Sequence, residues 1–246
     1  MTSAQPHPQR PGPIISDWQS PSETPELRDG ELHLWKWALS DGSETHDLDR
    51  GMLSSHELQR AESLANARLQ ANFILNRAAK RRILGAYLGV APATVELGYG
   101  PRGKPYIADP ACTLRFNLSH SGALSLLAVT RVGEIGVDLE QVAERKHLQS
   151  IARRMFGDAR AQHLESLPDA KRRQLFYVYW TWLEACVKAR GGGLFHPASR
   201  QEQGLHHICF VPHPGYQACL ASPEPHLHRS HWQALMYSDS TFSHYG

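Results

Sequence analysis

Ile135-Gly136-Val137-Asp138-Leu139-Glu140 alternates apolar and acidic residues. Successive side chains of a strand point to opposite faces, so Asp138 and Glu140 share one face while Val137 and Leu139 point into the core. Two carboxylates side by side repel each other and resist ionising together. A hard cation removes that penalty, and Mg²⁺ prefers one or two carboxylates completed by water and phosphate oxygens. The pattern fits a strand end with acidic residues facing water equally well, and the hexapeptide alone leaves both readings open.

Working outward, the segments 113–118 and 123–130 read as strands leading into a third at 134–140. Upstream, Glu31 to Leu39 alternates around Leu32, Leu34, Trp35 and Trp37 and reads as a first strand. Ser54 with Glu57 three residues on has the capping-box spacing, so a helical pattern starts there; it runs with one break to Leu88 and ends at Gly89. A short strand at 94–98 and a turn at Gly100-Pro101-Arg102-Gly103-Lys104-Pro105 follow. Downstream, a second helical block covers 147–190 and stops at Gly191-Gly192-Gly193. Strands near 205–211, 216–221 and 231–237 close the chain. The order strand, helical block, strands thus occurs twice, which points to a duplicated architecture with a boundary near residue 132. Residues 1–27, rich in Pro, Ser and Gln, read as a flexible arm before an N-terminal half at 28–132 and a C-terminal half at 133–246.

The length of 246 residues suits one large domain or two small ones, and 41% hydrophobic with 20% charged residues is a globular composition. A net charge of +2 does not by itself describe a nucleic-acid binder, so any anion site must come from local clustering. No segment has the length of a membrane-spanning helix. Met1 to Pro13 lacks the apolar stretch of a secretory signal. Cys112, Cys186, Cys209 and Cys219 show no Cys-x-x-Cys spacing and read as reduced, mostly buried thiols in a cytoplasmic protein. The fifteen histidines, many in the last fifty residues, match no zinc pattern.

Three further segments carry candidate chemistry. Trp180, Glu184 and Lys188 are spaced by four and share one helix face. They form either a surface Glu184–Lys188 ion pair with a packed indole, or a third metal ligand or base beside a phosphate-binding cation. Phe116-Asn117-Leu118-Ser119-His120-Ser121-Gly122 reads as a turn between strands whose short polar side chains could also meet an anion. Arg77, Lys80, Arg81 and Arg82 form a solvated helix face, or else neutralise a phosphorylated ligand together with Lys104. No Gly-x-Ser-x-Gly elbow is present, which argues against a hydrolase nucleophile.

In order and spacing, Gly103-Lys104-Pro105, Phe116 to Ser121, Ile135 to Glu140 and Trp180-x-x-x-Glu184-x-x-x-Lys188 resemble the Sfp-type 4′-phosphopantetheinyl transferase family. Arg154-Met155-Phe156 and Phe210 to Tyr216 fit the same resemblance, which extends from about Leu53 to Leu220. It implies an α/β (α+β) fold with pseudo-twofold symmetry. Two subdomains, each a small mostly antiparallel sheet packed on helices, would enclose coenzyme A and Mg²⁺. It also implies Asp138 and Glu140 as metal carboxylates and Glu184 as a third ligand or the serine-activating base. Lys188 would lie beside the pyrophosphate, and Lys104, Ser119 and His120 would contact coenzyme A, His120 near the 3′-phosphate. Arg60 and Arg77 lie in the region that supplies further phosphate contacts. The sequence departs from the pattern at Leu183, where the family usually carries a lysine beside the glutamate.

The implied reaction transfers 4′-phosphopantetheine from coenzyme A to a serine of an apo acyl or peptidyl carrier protein and releases 3′,5′-ADP. The rival implied by Leu183 is a relative that holds coenzyme A, transfers poorly and serves a regulatory or interaction role. The carrier's pathway (fatty acid, polyketide or nonribosomal peptide) is left open. Two internal halves make a working monomer the expectation, with neither nucleic acid nor membrane as partner.

Overall fold

The computed structural model describes residues 7–39, 47–192, 204–224, 231–238 and 241. Gly193 of the glycine run, along with His196, His226, His228 and His244, lies outside them.

Two small sheets and two long helices organise the chain. The first sheet has the order β4-β5-β1-β9, built from β1 (Leu32–Ala38), β4 (Arg115–Ser121), β5 (Leu124–Thr130) and β9 (Trp232–Met236). Its pairs are antiparallel except β1 with β9, which run parallel. The second sheet is antiparallel in the order β6-β8-β7, from β6 (Gly136–Gln141), β7 (His206–Phe210) and β8 (Tyr216–Ser222). A hairpin of β2 (Leu97–Tyr99) and β3 (Pro105–Ile107) stands apart, its turn at the expected Gly100 to Lys104. The strand expected at 94–98 is shifted, because Pro92–Thr94 forms a 3₁₀ turn first.

Side-chain alternation explains the layers. On β1 and β5, Trp35, Trp37, Leu127 and Val129 face α3 (Ala67–Leu88) and pack with its Ala79, Ile83 and Leu84. Leu32, Leu34, Leu124, Leu126 and Ala128 face the other way and meet Val137, Leu139, Ala218 and Leu220 of the second sheet. Every residue of β5 is therefore buried, which accounts for its unbroken apolar run. The second sheet's remaining face is covered by α6 (Asp169–Ala189), flanked by α4 (Leu148–Phe156) and α5 (Asp158–Glu165). The helix-on-sheet arrangement thus appears twice around one shared core. Chain order passes from the first sheet to the second between β5 and β6, while β9 returns from the far end of the chain into the first sheet.

Local rules set the helix ends. After the short α1 (Asp47–Gly51), α2 (Ser55–Glu62) carries the capping box: Ser54 accepts the Glu57 N–H and Glu57 accepts the Ser54 N–H, a cap worth about 1 kcal/mol. α3 ends at Gly89 in the left-handed conformation (φ 67°).

The described part of the N-terminal arm is laid along both sheets. The Ile15 N–H donates to the Val211 carbonyl and the Val211 N–H to the Pro13 carbonyl, Gln19 pairs likewise with Ala234 and Met236, and Ile15 and Leu27 are buried. Gly12 has room for no side chain, since a Cβ there would stand 1.5 Å from the Cys209 carbonyl oxygen.

Candidate active site

The edge strands of the two sheets, β4 and β6, lie side by side and parallel, but no backbone ladder joins them. Alternate side chains of β4 accept the backbone N–H groups of β6 instead. The Asn117 Oδ1 accepts from Val137 (2.8 Å), the Ser119 hydroxyl from Leu139 (3.2 Å) and the Ser121 hydroxyl from Gln141 (3.1 Å). Period-two geometry makes this possible, because 117, 119 and 121 share one face. The expectation of a turn over 116–122 is therefore corrected: the strand runs through Ser121, and its short polar side chains satisfy edge N–H groups that would otherwise be left without partners.

The same hydroxyls orient the two carboxylates. Ser119 donates to Asp138 Oδ1 (3.0 Å) and Ser121 donates to Glu140 Oε2 (2.9 Å). Both carboxylates lie on the face covered by α6. Gly136 sets how close that helix comes, because a Cβ there would stand 2.1 Å from the Ala185 carbonyl oxygen and 2.4 Å from the Ala189 nitrogen. α6 runs antiparallel to β6, and its Trp180, Glu184 and Lys188 face overhangs the strand. Those three residues span about 12 Å along the helix axis, whereas Asp138 and Glu140 are about 6.6 Å apart. The long outer side chains converge accordingly. The Lys188 Nζ donates to Asp138 Oδ1 (2.6 Å) and to the Ser119 hydroxyl (3.0 Å), and the Trp180 Nε1 donates to Glu140 Oε1 (3.1 Å).

Glu184 lies between them, and among the described residues no group donates a hydrogen bond to it. The bland expectation of a Glu184–Lys188 ion pair is thereby corrected: Lys188 pairs with the buried Asp138 instead, where an unpaired charge would cost most. Burial, then the charge of Asp138, pushes the Glu184 carboxyl up to about 7 against the partial relief of Lys188. Burial raises Asp138 as well, despite Lys188 and Ser119, and burial with Asp138 raises Glu140.

Three hard oxygen donors of raised proton affinity, and a buried Asp138 Oδ2 with no hydrogen-bond partner, are the donor chemistry that a hard cation satisfies. Among the described residues no three Asp, Glu, His or Cys side chains converge closely enough to hold a metal as they stand, and the Lys188 ammonium supplies the positive charge at Asp138.

The remaining expected residues are placed unequally. His120 is solvent-exposed at the end of β4, yet partial desolvation, then the charges of Lys188 and Arg77, lowers its pKa. Those Coulombic effects bring Arg77 of α3 and Lys188 of α6 within reach of His120, although Arg77 also pairs with Glu57 (3.8 Å) and Lys188 with Asp138. Lys104 is held elsewhere, donating to Glu134 Oε2 (2.6 Å) and to the carbonyls of Ile135 (3.0 Å) and Ala189 (3.4 Å). It borders a groove of about 870 Å³ lined also by Arg115, Phe116 and Arg190. Arg60 bonds only locally among the described residues, to Ser63 (3.4 Å), and is not brought to the carboxylates. Lys80 and Arg81 are buried around Glu57, and Arg82 pairs with Asp49 (2.7 Å). Of that basic run, Arg77 is the residue whose charge reaches His120. Leu183 is 3% exposed and packs in the core under α6, so the departure from the family pattern alters packing and adds nothing to the cleft. The sequence reading did not connect Ser121 and Trp180 to Glu140; the spacing of Trp180 to Glu184 was the available signal.

Three carboxylates, Asp138, Glu140 and Glu184, thus stand with Lys188 between two helix-on-sheet halves. A family model for the 4′-phosphopantetheinyl transferase superfamily matches residues 134–236. The chain is 41% identical over 171 residues to the 4′-phosphopantetheinyl transferase HetI of Nostoc sp., covering 68% of this chain and 72% of that one. It is 38% identical over 146 residues to a putative 4′-phosphopantetheinyl transferase of Synechocystis sp., covering 59% of each. With the 4′-phosphopantetheinyl transferase AcpT of Escherichia coli it shares 34% over 121 residues, 49% of this chain and 60% of that one. The chain belongs to the 4′-phosphopantetheinyl transferase superfamily. Among the described residues no helix is long and apolar enough to cross a membrane.

Proposed function

We propose that this chain moves the 4′-phosphopantetheine arm of coenzyme A to a serine hydroxyl of an apo carrier protein, with Mg²⁺ at Asp138, Glu140 and Glu184. The observation that carries the reading is Glu184 standing between two clamped carboxylates with no hydrogen-bond donor to it among the described residues. A carboxylate held by no donor can turn one oxygen toward the cation and accept a proton on the other. When bound, the cation supplies electrostatic stabilisation of pyrophosphate charge as the phosphoryl group transfers.

The chain's own residues do the rest. Glu184 takes the serine proton, directly or through water. The serine oxygen forms a bond to the β-phosphorus, the bond to the bridging oxygen breaks, and 3′,5′-ADP leaves with its electron pair. Lys188 offsets the charge growing on the leaving group, and His120 with Arg77 attracts the 3′-phosphate. Serine is a weak nucleophile, so positioning and charge neutralisation supply most of the acceleration. One chain supplies both walls of the cleft, in keeping with a working monomer. Leu183 had been the sole feature favouring a non-transferring relative, and its burial removes that support.

Labelled phosphopantetheine transfer to an apo carrier tests the reading. With Mg²⁺ present, Asp138→Ala is expected to lose on the order of 100-fold or more in rate. Equal transfer by wild type and variant would overturn the metal assignment.

A further inference from the structure

Glu140 is held by two hydrogen bonds that come from opposite halves of the molecule. Oε2 accepts the Ser121 hydroxyl of β4 at 2.9 Å, and Oε1 accepts the Trp180 indole N–H of α6 at 3.1 Å. Each donor is itself fixed. Ser121 accepts the Gln141 N–H at 3.1 Å, so its hydroxyl proton is directed at Glu140. Trp180 is stacked on Phe176 (14° between planes, centroids 6.0 Å apart), and the Arg145 guanidinium lies 4.8 Å from its ring centroid. The same guanidinium lies 5.8 Å from the Phe176 centroid and so covers both rings, which leaves the indole little freedom to turn its single N–H elsewhere.

We propose that Ser121 and Trp180 are positioning residues for Glu140. Acting together, they fix the carboxylate plane and so aim its remaining lone pairs at the space between Asp138 and Glu184. The inference rests on the transferase reading above and deepens it. A carboxylate of a buried strand has free rotation about its last bond, and Asp138 is steered by Lys188 and Ser119 while Glu140 has no cation within ion-pairing distance among the described residues. Its orientation therefore depends on neutral donors. Because one comes from each half, the two halves must be in register for Glu140 to be aimed. Groups that orient a metal carboxylate change cation affinity or activity by about 10- to 100-fold when removed.

The test uses Mn²⁺ as the probe, with binding read by electron paramagnetic resonance in the presence of coenzyme A, alongside transfer kinetics on the full chain. Ser121→Ala and Trp180→Phe are each expected to weaken Mn²⁺ binding about 10-fold and to lower kcat with little change in the KM for coenzyme A. Ser121→Thr, which keeps the hydroxyl, is expected to restore both. Replacing Trp180 by its benzothienyl analogue, which keeps the ring shape and lacks the N–H, should reproduce the Trp180→Phe loss without altered folding. Wild-type Mn²⁺ affinity and kcat in Ser121→Ala and in the benzothienyl protein would overturn the proposal. Absence of Mn²⁺ binding or transfer by the wild type would instead overturn the transferase reading itself.

Discussion

Gly136→Ala offers a test of how the site is assembled, because the new methyl meets backbone that cannot rotate away. The added Cβ would lie 2.1 Å from the Ala185 carbonyl oxygen, against an ordinary contact of at least 3.4 Å, so α6 must withdraw by about 1.3 Å near that point. The helix carries Trp180, Glu184 and Lys188, and withdrawal stretches the 2.6 Å Lys188–Asp138 contact and the 3.1 Å Trp180–Glu140 contact together. Overpacking of this kind costs about 1–3 kcal/mol, which for a chain of this size lowers Tm by roughly 2–4 °C per kcal/mol. A displacement of about 1 Å at reacting groups lowers the rate by about 100-fold. Thermal unfolding and steady-state transfer on the purified variant measure both. The expected pattern is a Tm lower by several degrees with a disproportionate loss of kcat. Wild-type kcat in a folded Gly136→Ala protein would refute the claim that close packing of α6 on β6 builds the site.

Two further predictions concern stability against pH. His33 is fully buried beside the Tyr87 hydroxyl (2.6 Å), and burial, partly opposed by Glu31, lowers its pKa to about 4. Between about pH 6.5 and 4 the unfolded chain takes a proton that the folded chain refuses, so stability falls as pH falls, by up to about 3 kcal/mol over the window. Urea unfolding should show a flatter decline for His33→Gln, and an unchanged slope would contradict the assignment. Lys80 acts with the same sign in a higher window: burial, then the Arg77 charge, lowers its pKa to about 7, with Glu57 opposing and Arg81 adding to the fall. Above that point only the unfolded chain retains the proton, so this group's contribution to stability rises as pH climbs toward about 10. Lys80→Met is expected to be more stable than wild type at pH 7, because an ammonium without a hydrogen-bond acceptor leaves the core while Glu57 keeps Arg81 at 2.9 Å. That advantage should shrink with rising pH in parallel thermal melts, and a pH-independent difference would contradict it.

Much of the scaffold was legible because it follows from local rules. The Ser54 and Glu57 capping box, the stop at Gly89 and the alternation of β6 depend on neighbours in sequence, and each is found where spacing places it. Placing Trp180, Glu184 and Lys188 on one helix face likewise needed only the helical period. What sequence could not carry was partner choice. Asn117, Ser119 and Ser121 have the composition of a turn, but the antiparallel ladder with β5 makes a strand of them and the N–H groups of β6 occupy their side chains, leaving the turn to Gly122. Lys188 is in helical reach of Glu184, yet it pairs with Asp138, 50 positions away, because the more buried charge gains more from compensation. Lys80 and Arg81 read as a solvated face and are buried, since Glu57 arrives from another helix to neutralise them.

The most direct measurement is the intact mass of an apo carrier protein incubated with this chain and coenzyme A, with Mg²⁺ and with a chelator. The account predicts one phosphopantetheine arm added at the carrier serine with Mg²⁺, and none with the chelator. No addition to any of a panel of apo carriers, despite bound coenzyme A, would contradict the transferase reading. Addition undiminished by the chelator would contradict the role given to Asp138, Glu140 and Glu184.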